Sequence, residues 1–164
     1  MQLKLISTAD CQAILNFETK NKTYFEQFAP PRPSGYFNHD SLHKIIEGLV
    51  EEQKSSECFL YLVYEDDTII GRVNLSNIKH QTAELGYRFA KNKTGQGLAT
   101  KMTAKLIKLA KTHGLTNLTA YTTTINIASI RVLEKNGFKH IRINKNAETL
   151  NGQSLDFTHY ARDI

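Results

Sequence analysis

The segment from residue 82 to residue 123 constrains the fold more than any other part of the chain. It begins with TAELGYRFA, whose apolar and polar residues alternate as in a strand, and continues through KNKTGQG into a helical pattern. A β-branched run, LTAYTTT, follows and predicts a second strand. Two strands joined through a helix run parallel with a right-handed connection. The segment therefore predicts an α/β fold with a parallel pair of strands.

The N-terminal half predicts further strands and helices around this unit. A strand is expected at residues 2–6, and a helix from Ala9 to Phe28 in which a polar interruption around Asn21 allows a break. A second helix is expected to be capped by Asp40, with an apolar face of Leu42, Ile45, Ile46 and Leu49. The runs ECFLYLVY and TIIGRVNLSNI flank EDD, which predicts a β-hairpin.

Two local signals organise the C-terminal part. NIASIRVLEKNGF predicts a helix that Asn126 caps and Gly137 ends. Asn151 and Gly152 predict a type I′ turn between two last strands. Because there is no internal repeat and no linker, residues 1–164 are expected to form a single domain.

Composition and charge exclude several classes of function. A net charge of +5 suits an anionic ligand, but the lysines are spread out and do not alternate with aromatic residues, which argues against nucleic acid as partner. No apolar run approaches the roughly 20 residues of a membrane span, and the N-terminus does not resemble a signal peptide. Cys11 and Cys58 lie far apart and form no CxxC motif. These features favour a cytoplasmic protein with no membrane partner.

The glycine-containing stretch TGQG at the start of the third helix indicates an anion site. A Rossmann loop requires glycine or alanine at position 100, a Walker loop requires glycine before Lys101, and Thr100 satisfies neither. Backbone N–H groups at a helix start still attract phosphate, and Gly95 and Gly97 carry no Cβ to block its approach. A tight turn that needs positive φ remains an alternative explanation for both glycines.

The stretch ELGYRFAKNKTGQGLATKM, followed by NIASIRVLEKNGFK, resembles the GCN5-related N-acetyltransferase (GNAT) family. Within that family it is similar to the branch that acetylates the N-termini of ribosomal proteins, as is the tail AETLNGQSLDFTHYA. The resemblance is firm from about residue 82 to residue 160 and looser before. The family's phosphate loop maps onto Thr94, Gly97 and Ala99, with Thr94 in place of the usual Arg or Gln. Its second motif maps onto Asn126, Ser129, Glu134, Lys135, Gly137 and Phe138.

The resemblance implies a fold and a cofactor. The expected fold is a mixed, mostly antiparallel sheet of about seven strands with a central splayed parallel pair, flanked by about four helices. The expected cofactor is acetyl-CoA, which serves as acetyl donor. The residues expected to bind it are Tyr87, Arg88, Phe89, Thr94, Gly95, Gln96, Gly97, Leu98, Ala99, Thr100, Asn126, Ser129 and Arg131. Three residues are alternatives for the 3′-phosphate: Lys93, Lys101 and Arg131.

Acetyl transfer to an amine needs a base, an oxyanion donor and help for the departing thiolate. The resemblance implies Glu148 as base, with Glu84 as the alternative. It implies Ser129 as a hydrogen-bond donor to the thiolate, and a backbone N–H near Tyr87 or Arg88 as oxyanion donor. Tyr121 is expected in the core, with a position facing the acetyl group as the alternative, and no cysteine nucleophile is needed. No metal is expected, because His39 and His43 lack a third ligand in the sequence pattern.

The sequence thus predicts an acetyl-CoA-dependent N-acetyltransferase. The preferred acceptor is a protein N-terminal α-amine, because its pKa near 8 makes it easier to deprotonate than a lysine near 10.4. A polyamine or amine antibiotic is an alternative acceptor. A non-catalytic CoA-binding sensor and, more remotely, a flavodoxin-like nucleotide-binding domain are alternatives of other classes. A homodimer formed along the tail strands is compatible with the branch.

Overall fold

The computed structural model describes residues 1–150 and 152–164. Within them, seven strands form one mixed sheet in the order β1-β2-β3-β4-β5-β7-β6. The strands are β1 (Gln2–Leu5), β2 (Phe59–Glu65), β3 (Thr68–Lys79), β4 (Thr82–Phe89), β5 (Asn117–Thr123), β6 (Lys139–Leu150) and β7 (Gln153–Asp163). The α-helices are α1 (Cys11–Phe25), α2 (His39–Lys54), α3 (Leu98–Thr112) and α4 (Ile127–Lys135). The predicted fold class is confirmed.

The two central strands, β4 and β5, run parallel but separate after a short contact. They pair only at Thr82↔Asn117, Ala83↔Leu118 and Glu84↔Thr119 within the residues described. The other neighbouring strands pair antiparallel, so β4 stays bonded to β3 and β5 stays bonded to β7 beyond this point. A gap therefore opens between β4 and β5 toward their C-terminal ends, which confirms the predicted splayed pair.

The sheet separates two hydrophobic cores. On one side, which we call the α3 face, Ala83 and Leu85 of β4 belong to the same buried cluster as Met102 and Leu106 of α3. On the other side, the α1 face, buried residues of α1 and α2 pack with Leu62 of β2. Because successive strand residues point to opposite sides, Glu84, Gly86 and Arg88 of β4 lie on the α1 face.

Helix α1 is continuous across Asn21, so the break that the polar residues allowed does not occur. The Asn21 side chain is buried and fully used. Its amide donates to the Phe17 carbonyl at 2.9 Å, and its oxygen accepts from the Lys91 backbone N–H at 3.0 Å. The polar residue Asn21 therefore holds the loop after β4 against α1. The helix is also shorter than predicted, because a 3₁₀ turn (Thr8–Asp10) precedes it and turns follow Phe25.

Helix α2 is capped by Asn38, so the predicted cap at Asp40 is wrong. The Asn38 side chain accepts the Ser41 backbone N–H at 3.1 Å, and Asp40 lies in the first turn, where its charge complements the helix dipole. Leu42 and Ile46 are buried as expected, whereas Ile45 is 40% exposed. The buried pair is spaced i, i+4, a narrow stripe that excludes Ile45.

Strands β6 and β7 form a long antiparallel hairpin. They pair from Lys139↔Ala161 to Leu150↔Gln153, with irregularities after His140 and after Asn144 on β6. The predicted pairing of the last two strands is confirmed, but Asn151 of the predicted turn lies outside the described residues. Among the helices described, none is both long enough and apolar enough to cross a membrane.

Candidate active site

The loop between β4 and α3 presents a row of backbone N–H groups. Gly95 and Gly97 have φ angles of 76° and 71°, which residues with a Cβ adopt only with strain. Gly97 precedes the first residue of α3, and no side chain of the residues described caps this helix start. Within the described chain, no acceptor is bonded to the N–H groups of residues 95–100. These groups are the donors that an anion at a helix start requires.

The surroundings of this loop leave room for a ligand. A Cβ added at Gly95 or Gly97 would meet no atom within 4 Å, so no protein group packs against either glycine from that side. The Thr94 hydroxyl donates to the Lys91 carbonyl at 2.8 Å and therefore serves the loop itself. The Gln96 amide likewise donates to the Asn92 carbonyl at 3.1 Å. The anion site therefore consists of backbone groups and not of these two side chains.

The three alternatives for the 3′-phosphate have different surroundings. The Lys93 ammonium forms an ion pair with Glu65 of β2. Lys101 and Arg131 are exposed, and neither has a carboxylate partner in the part of the chain described. A phosphate would have to compete with Glu65 for Lys93, whereas the other two cations offer their full charge.

Ser129 lies in the first turn of α4 and is bonded to β4. Asn126 caps this helix as predicted, because its side-chain oxygen accepts the Ser129 backbone N–H at 3.2 Å. The hydroxyls of Ser129 and Tyr87 lie 2.8 Å apart, and the Tyr87 hydroxyl is 3.1 Å from the Ser129 carbonyl. Burial raises the pKa of Tyr87 to about 12, so Tyr87 keeps its proton at neutral pH. A pair of hydroxyls thus stands beside the gap, on the α3 face.

The α1 face of the gap carries Glu84, Tyr121 and His159. Tyr121 is 47% exposed, so its predicted place in the core is wrong: Leu118 and Ala120 fill the α3 core, and strand alternation turns Tyr121 to the other face. Its ring stacks on His159 with centroids 5.6 Å apart. Burial raises the pKa of Tyr121, and the nearby Glu84 carboxylate adds to this rise.

Glu148 lies on the same face as Glu84, although it comes from the β6–β7 hairpin. Glu148 pairs with Leu155 of β7. Leu155 and His159 lie four residues apart on β7 and therefore point to the same face, and His159 pairs with Tyr121 of β5. The Glu148 side chain is half-buried and accepts the Thr149 backbone N–H at 3.1 Å. Both predicted bases therefore lie on the α1 face.

Comparison with known proteins places the chain in a family. A model of the acetyltransferase (GNAT) domain matches residues 1–139. The chain belongs to the GNAT acetyltransferase family. A probable N-acetyltransferase of Bacillus subtilis (strain 168), YjcK, is 29% identical to this GNAT chain over 156 residues, which cover 90% of the chain and 84% of that protein. The predictions of an N-acetyltransferase and of acetyl-CoA as its acetyl donor are confirmed.

Solved structures with the same fold include acetyltransferases of ribosomal proteins. The ribosomal-protein-S5-alanine acetyltransferase from Vibrio fischeri superposes with a TM-score of 0.93 at 24% identity, covering 99% of this chain and 92% of that one. RimL, a ribosomal L7/L12 α-N-protein acetyltransferase solved with coenzyme A, gives 0.91 at 23%, covering 99% and 93%. RimJ from Mycobacterium smegmatis gives 0.88 at 22%, covering 99% and 81%. At these identities the likeness establishes the fold.

Both cysteines of this GNAT chain are buried, and burial together with nearby carboxylates keeps their thiols protonated. Both thiols are free; Cys11 contacts the His39 carbonyl and Cys58 the Leu49 carbonyl. Burial raises the pKa of both thiols, that of Cys58 to about 12. A thiol that stays protonated is a poor nucleophile. Direct transfer to the amine, without a cysteine intermediate, is consistent with this arrangement.

One charged cluster beside the site was missed by the sequence analysis. Glu18 of α1 is 1% exposed and forms ion pairs with Arg72, Arg88 and Arg32 at 2.6, 2.9 and 3.2 Å. Arg88 was expected to contact the cofactor through its backbone, but its side chain points to the α1 face. Glu18 and Arg88 lie 70 residues apart in sequence. No local pattern signals this pairing, apart from an acidic residue on the buried side of a helix.

Proposed function

We propose that this GNAT enzyme transfers the acetyl group of acetyl-CoA to the N-terminal α-amine of a protein, in the cytoplasm. The observation that carries the proposal is that the two faces of the sheet present different groups at the gap, hydroxyls on one face and carboxylates on the other. Tyr87 and Ser129 lie on the α3 face, and Glu84 and Glu148 lie on the α1 face. A donor that enters from one face can therefore meet an amine that arrives from the other.

The donor fits the groups that the chain leaves free. The N–H groups of residues 95–100 would hold the pyrophosphate at the start of α3. The β4 edge from Leu85 to Phe89, no longer bonded to β5, would bind the pantetheine arm as an added strand does. Asn126, which caps α4 three residues before Ser129, would contact this arm, and Lys101 or Arg131 would bind the 3′-phosphate. Bound there, acetyl-CoA supplies an activated thioester.

The residues at the gap would then carry out the transfer. A glutamate removes a proton from the ammonium, and the amine nitrogen attacks the thioester carbonyl while a β4 backbone N–H donates to its oxygen. The carbon–sulfur bond breaks, and the nitrogen loses its second proton as the amide forms. The departing sulfur, to which the Ser129 hydroxyl donates a hydrogen bond, takes up that proton. When Tyr87 donates its own proton to the Ser129 oxygen, the serine proton is free for this bond. The products are the acetylated amine and the free thiol of CoA.

We propose Glu148 as the base, with Glu84 as its alternative. Glu148 lies on the β6–β7 hairpin, where it pairs with Leu155, beyond the last residue of β7 that pairs with β5. An acceptor chain terminus would reach it there. Glu84 lies inside the sheet beside Tyr121 and is within 3.4 Å of the Asn77 amide. These neighbours give Glu84 a place in the local packing, so it is less free to exchange protons with an incoming amine.

The comparisons support a protein acceptor. Three solved structures of this fold are named for acetylation of ribosomal proteins, two of them for the α-N position or the N-terminal serine of L7/L12, and 92–94% of each of these chains is covered. The shared length includes α1, α2 and the β6–β7 hairpin, which border the α1 face of the gap.

The test is thiol release from acetyl-CoA with a panel of acceptors. The panel contains peptides that begin with Ser, Ala or Met, the same peptides with a blocked N-terminus and an added lysine, polyamines, and aminoglycosides. Turnover confined to the free α-amines is the expected result. Turnover only on polyamines or aminoglycosides would show that the acceptor is a small-molecule amine and not a protein N-terminus. Absence of turnover with all of them, in a protein that binds CoA, would favour a sensor.

The base is identified by matched amide variants. We expect Glu148→Gln to lower kcat about a hundredfold or more while the Kd for CoA stays unchanged, because general-base catalysis contributes about 10²–10⁴. Glu84→Gln should have a smaller effect, and Glu51→Gln, an exposed carboxylate near the end of α2, serves as control. A larger loss in Glu84→Gln than in Glu148→Gln would exchange the two roles.

A further inference from the structure

The Glu18 cluster carries more positive charge than it needs for its own neutrality. Three guanidinium groups converge on one carboxylate, and the side chains of Arg72, Arg88 and Arg32 are only 11, 24 and 30% exposed. Tyr36 adds a neutral oxygen 3.0 Å from Arg72. Partly buried positive charge without a partner is costly, so the surplus predicts an anionic partner that comes from outside the chain.

A crevice gives solvent access to this surplus. Its volume is about 10 Å³, room for one water-sized group, and its walls are Glu18, Lys22, Phe25, Glu26, Pro30, Arg32, Phe37 and Arg88. Lys22 stacks over Phe37 and Arg88 over Phe25, so both cations are held in place. With Arg72 behind it, the crevice is surrounded by four cations and two carboxylates.

The guanidinium groups have donors to spare. Arg32 bonds Glu18 through Nη2, and its Nη1 bonds no acceptor among the described residues; its Nε is buried and also has no hydrogen-bond partner there. Arg88 bonds Glu18 through Nη1. A guanidinium has five N–H donors in a planar fork that matches a carboxylate. An incoming carboxylate oxygen is the group that fits both the size of the crevice and its free donors.

The cluster lies within reach of the reacting amine. Arg88 and Glu84 share one face of β4 four residues apart, about 13 Å along an extended strand. The transfer takes place between them, beside Gly86 and Tyr87, so the cluster is about 7 to 13 Å from the amine. An extended peptide covers this distance with about two to four residues.

We propose that this crevice binds an acidic side chain at position 3, 4 or 5 of the acceptor protein. The proposal rests on the proposed N-terminal acetylation and adds a rule for choosing the acceptor. The acceptor's carboxylate accepts from Arg32 and Arg88, its chain lies along the α1 face of β4, and its N-terminus reaches the gap.

The experiment compares peptides that start with Ser or Ala and carry one Glu, moved along positions 2 to 8, with Gln peptides of the same sequence. We expect Glu at positions 3 to 5 to raise kcat/KM about tenfold over Gln, mostly through KM, since a charged hydrogen bond contributes about that factor. Arg32→Gln should reduce this Glu-to-Gln ratio to about one, and Arg32→Lys should restore part of it. Lys20→Gln, an exposed charge on the same helix as Glu18, should keep the full ratio.

Each outcome is decisive. Equal kcat/KM for Glu and Gln peptides, or a ratio that survives Arg32→Gln, would overturn the anion site and leave N-terminal acetylation standing. Turnover on no peptide at all would overturn both proposals. Because Arg32 lies on a partly exposed loop, loss of folding is checked by thermal unfolding, and Arg88→Gln provides a second test of the same ratio. A preference for a phosphorylated small amine over every acidic peptide would assign the site to a free phosphate group instead.

Discussion

The hydrogen bond between Tyr87 and Ser129 connects a strand to a helix where the thioester is expected to break. If the Tyr87 hydroxyl donates a hydrogen bond to the Ser129 oxygen and so leaves the serine hydroxyl free for the sulfur, Tyr87→Phe removes this donor without removing Ser129. We expect kcat to fall about tenfold with little change in the KM for acetyl-CoA, the size of one lost hydrogen bond. Steady-state kinetics of thiol release measure both constants.

A double-mutant cycle tests whether the two hydroxyls act together. Tyr87→Phe combined with Ser129→Ala should lower kcat no further than Ser129→Ala alone, because the tyrosine acts through the serine. Tyr61→Phe is the matched control, since its hydroxyl bonds His113 at 2.8 Å on the far end of α3. If the losses of kcat in the two single variants added up in the double variant, the two hydroxyls would act independently.

At the residue scale, the sequence predicts contacts between residues that lie close together in the chain. The Asn126 cap of α4 was predicted in this way, because a cap and the N–H group that it accepts are three residues apart. The bond from Ser129 to Tyr87 spans 42 residues and the pair of Glu18 with Arg88 spans 70, so only the fold brings them together. Tyr121 was misplaced for a related reason: the face of a strand residue depends on its neighbours in the sheet.

At the scale of elements, variants of the loop before α3 can distinguish a conformational role of its glycines from a role in ligand binding. Gly97→Ala forces a Cβ into positive φ and should cost about 1 kcal/mol of stability. It should also raise the KM for acetyl-CoA several-fold, because it shifts the N–H groups and adds bulk in the open space they face. Gly114→Ala is the control, since its φ is 75° and its surroundings are equally open, but it follows α3 at the other end.

The two glycine variants should therefore unfold at similar temperatures and differ in the KM for acetyl-CoA. If Gly97→Ala left the KM for acetyl-CoA unchanged and lost as much stability as Gly114→Ala, the loop would be only a tight turn and not a phosphate site. That alternative is open from the sequence alone, because positive φ and phosphate approach select the same residue.

Predictions of whole elements succeeded where connection rules apply. The helix between β4 and β5 requires a parallel pair, and two aspartates in positive φ at 66 and 67 close the β2–β3 hairpin. Predictions of caps and faces were weaker, because tertiary contacts decide them. Asn21 stays in α1 since the loop after β4 uses its side chain, and Ile45 is exposed since α2 packs through a narrower stripe than its apolar residues allow.

For the whole molecule, the proposed function makes the sheet a partition between the acetyl donor and the acceptor. The order of motifs leads to the proposed donor side, because the loop before α3 and helix α4 directly follow the two central strands. The acceptor side is assembled from α1, the loop around Arg32, and the final hairpin, which are remote in sequence. Its charge balance was therefore visible only in the folded chain.

That charge balance also determines how the fold responds to acid. Burial works to raise the pKa of Glu18, but Arg72, Arg88 and Arg32 outweigh it and hold the pKa below the ordinary value of 4.5. Asp10 is likewise lowered from 3.8, through Lys4 and Ser7, against the effect of burial. A lowered carboxyl pKa stabilises the fold above the unfolded-state value, and this contribution is lost as pH falls through the folded value. Stability should therefore fall with pH below about 4.5.

Replacing Glu18 tests this balance for the molecule as a whole. Glu18→Gln leaves three guanidinium groups around a neutral amide, and we expect it to lower the free energy of unfolding at pH 7 by about 3–5 kcal/mol. It should also make unfolding less sensitive to pH below 4.5, because the titrating group is gone. Denaturant unfolding at a series of pH values measures both effects, with Glu134→Gln as an exposed control.

A wild-type pH dependence in Glu18→Gln would show that other carboxyls govern acid unfolding. A stability unchanged at pH 7 would mean that the cluster's surplus charge is already neutralised by solvent ions, which would remove the electrostatic reason for an anionic acceptor.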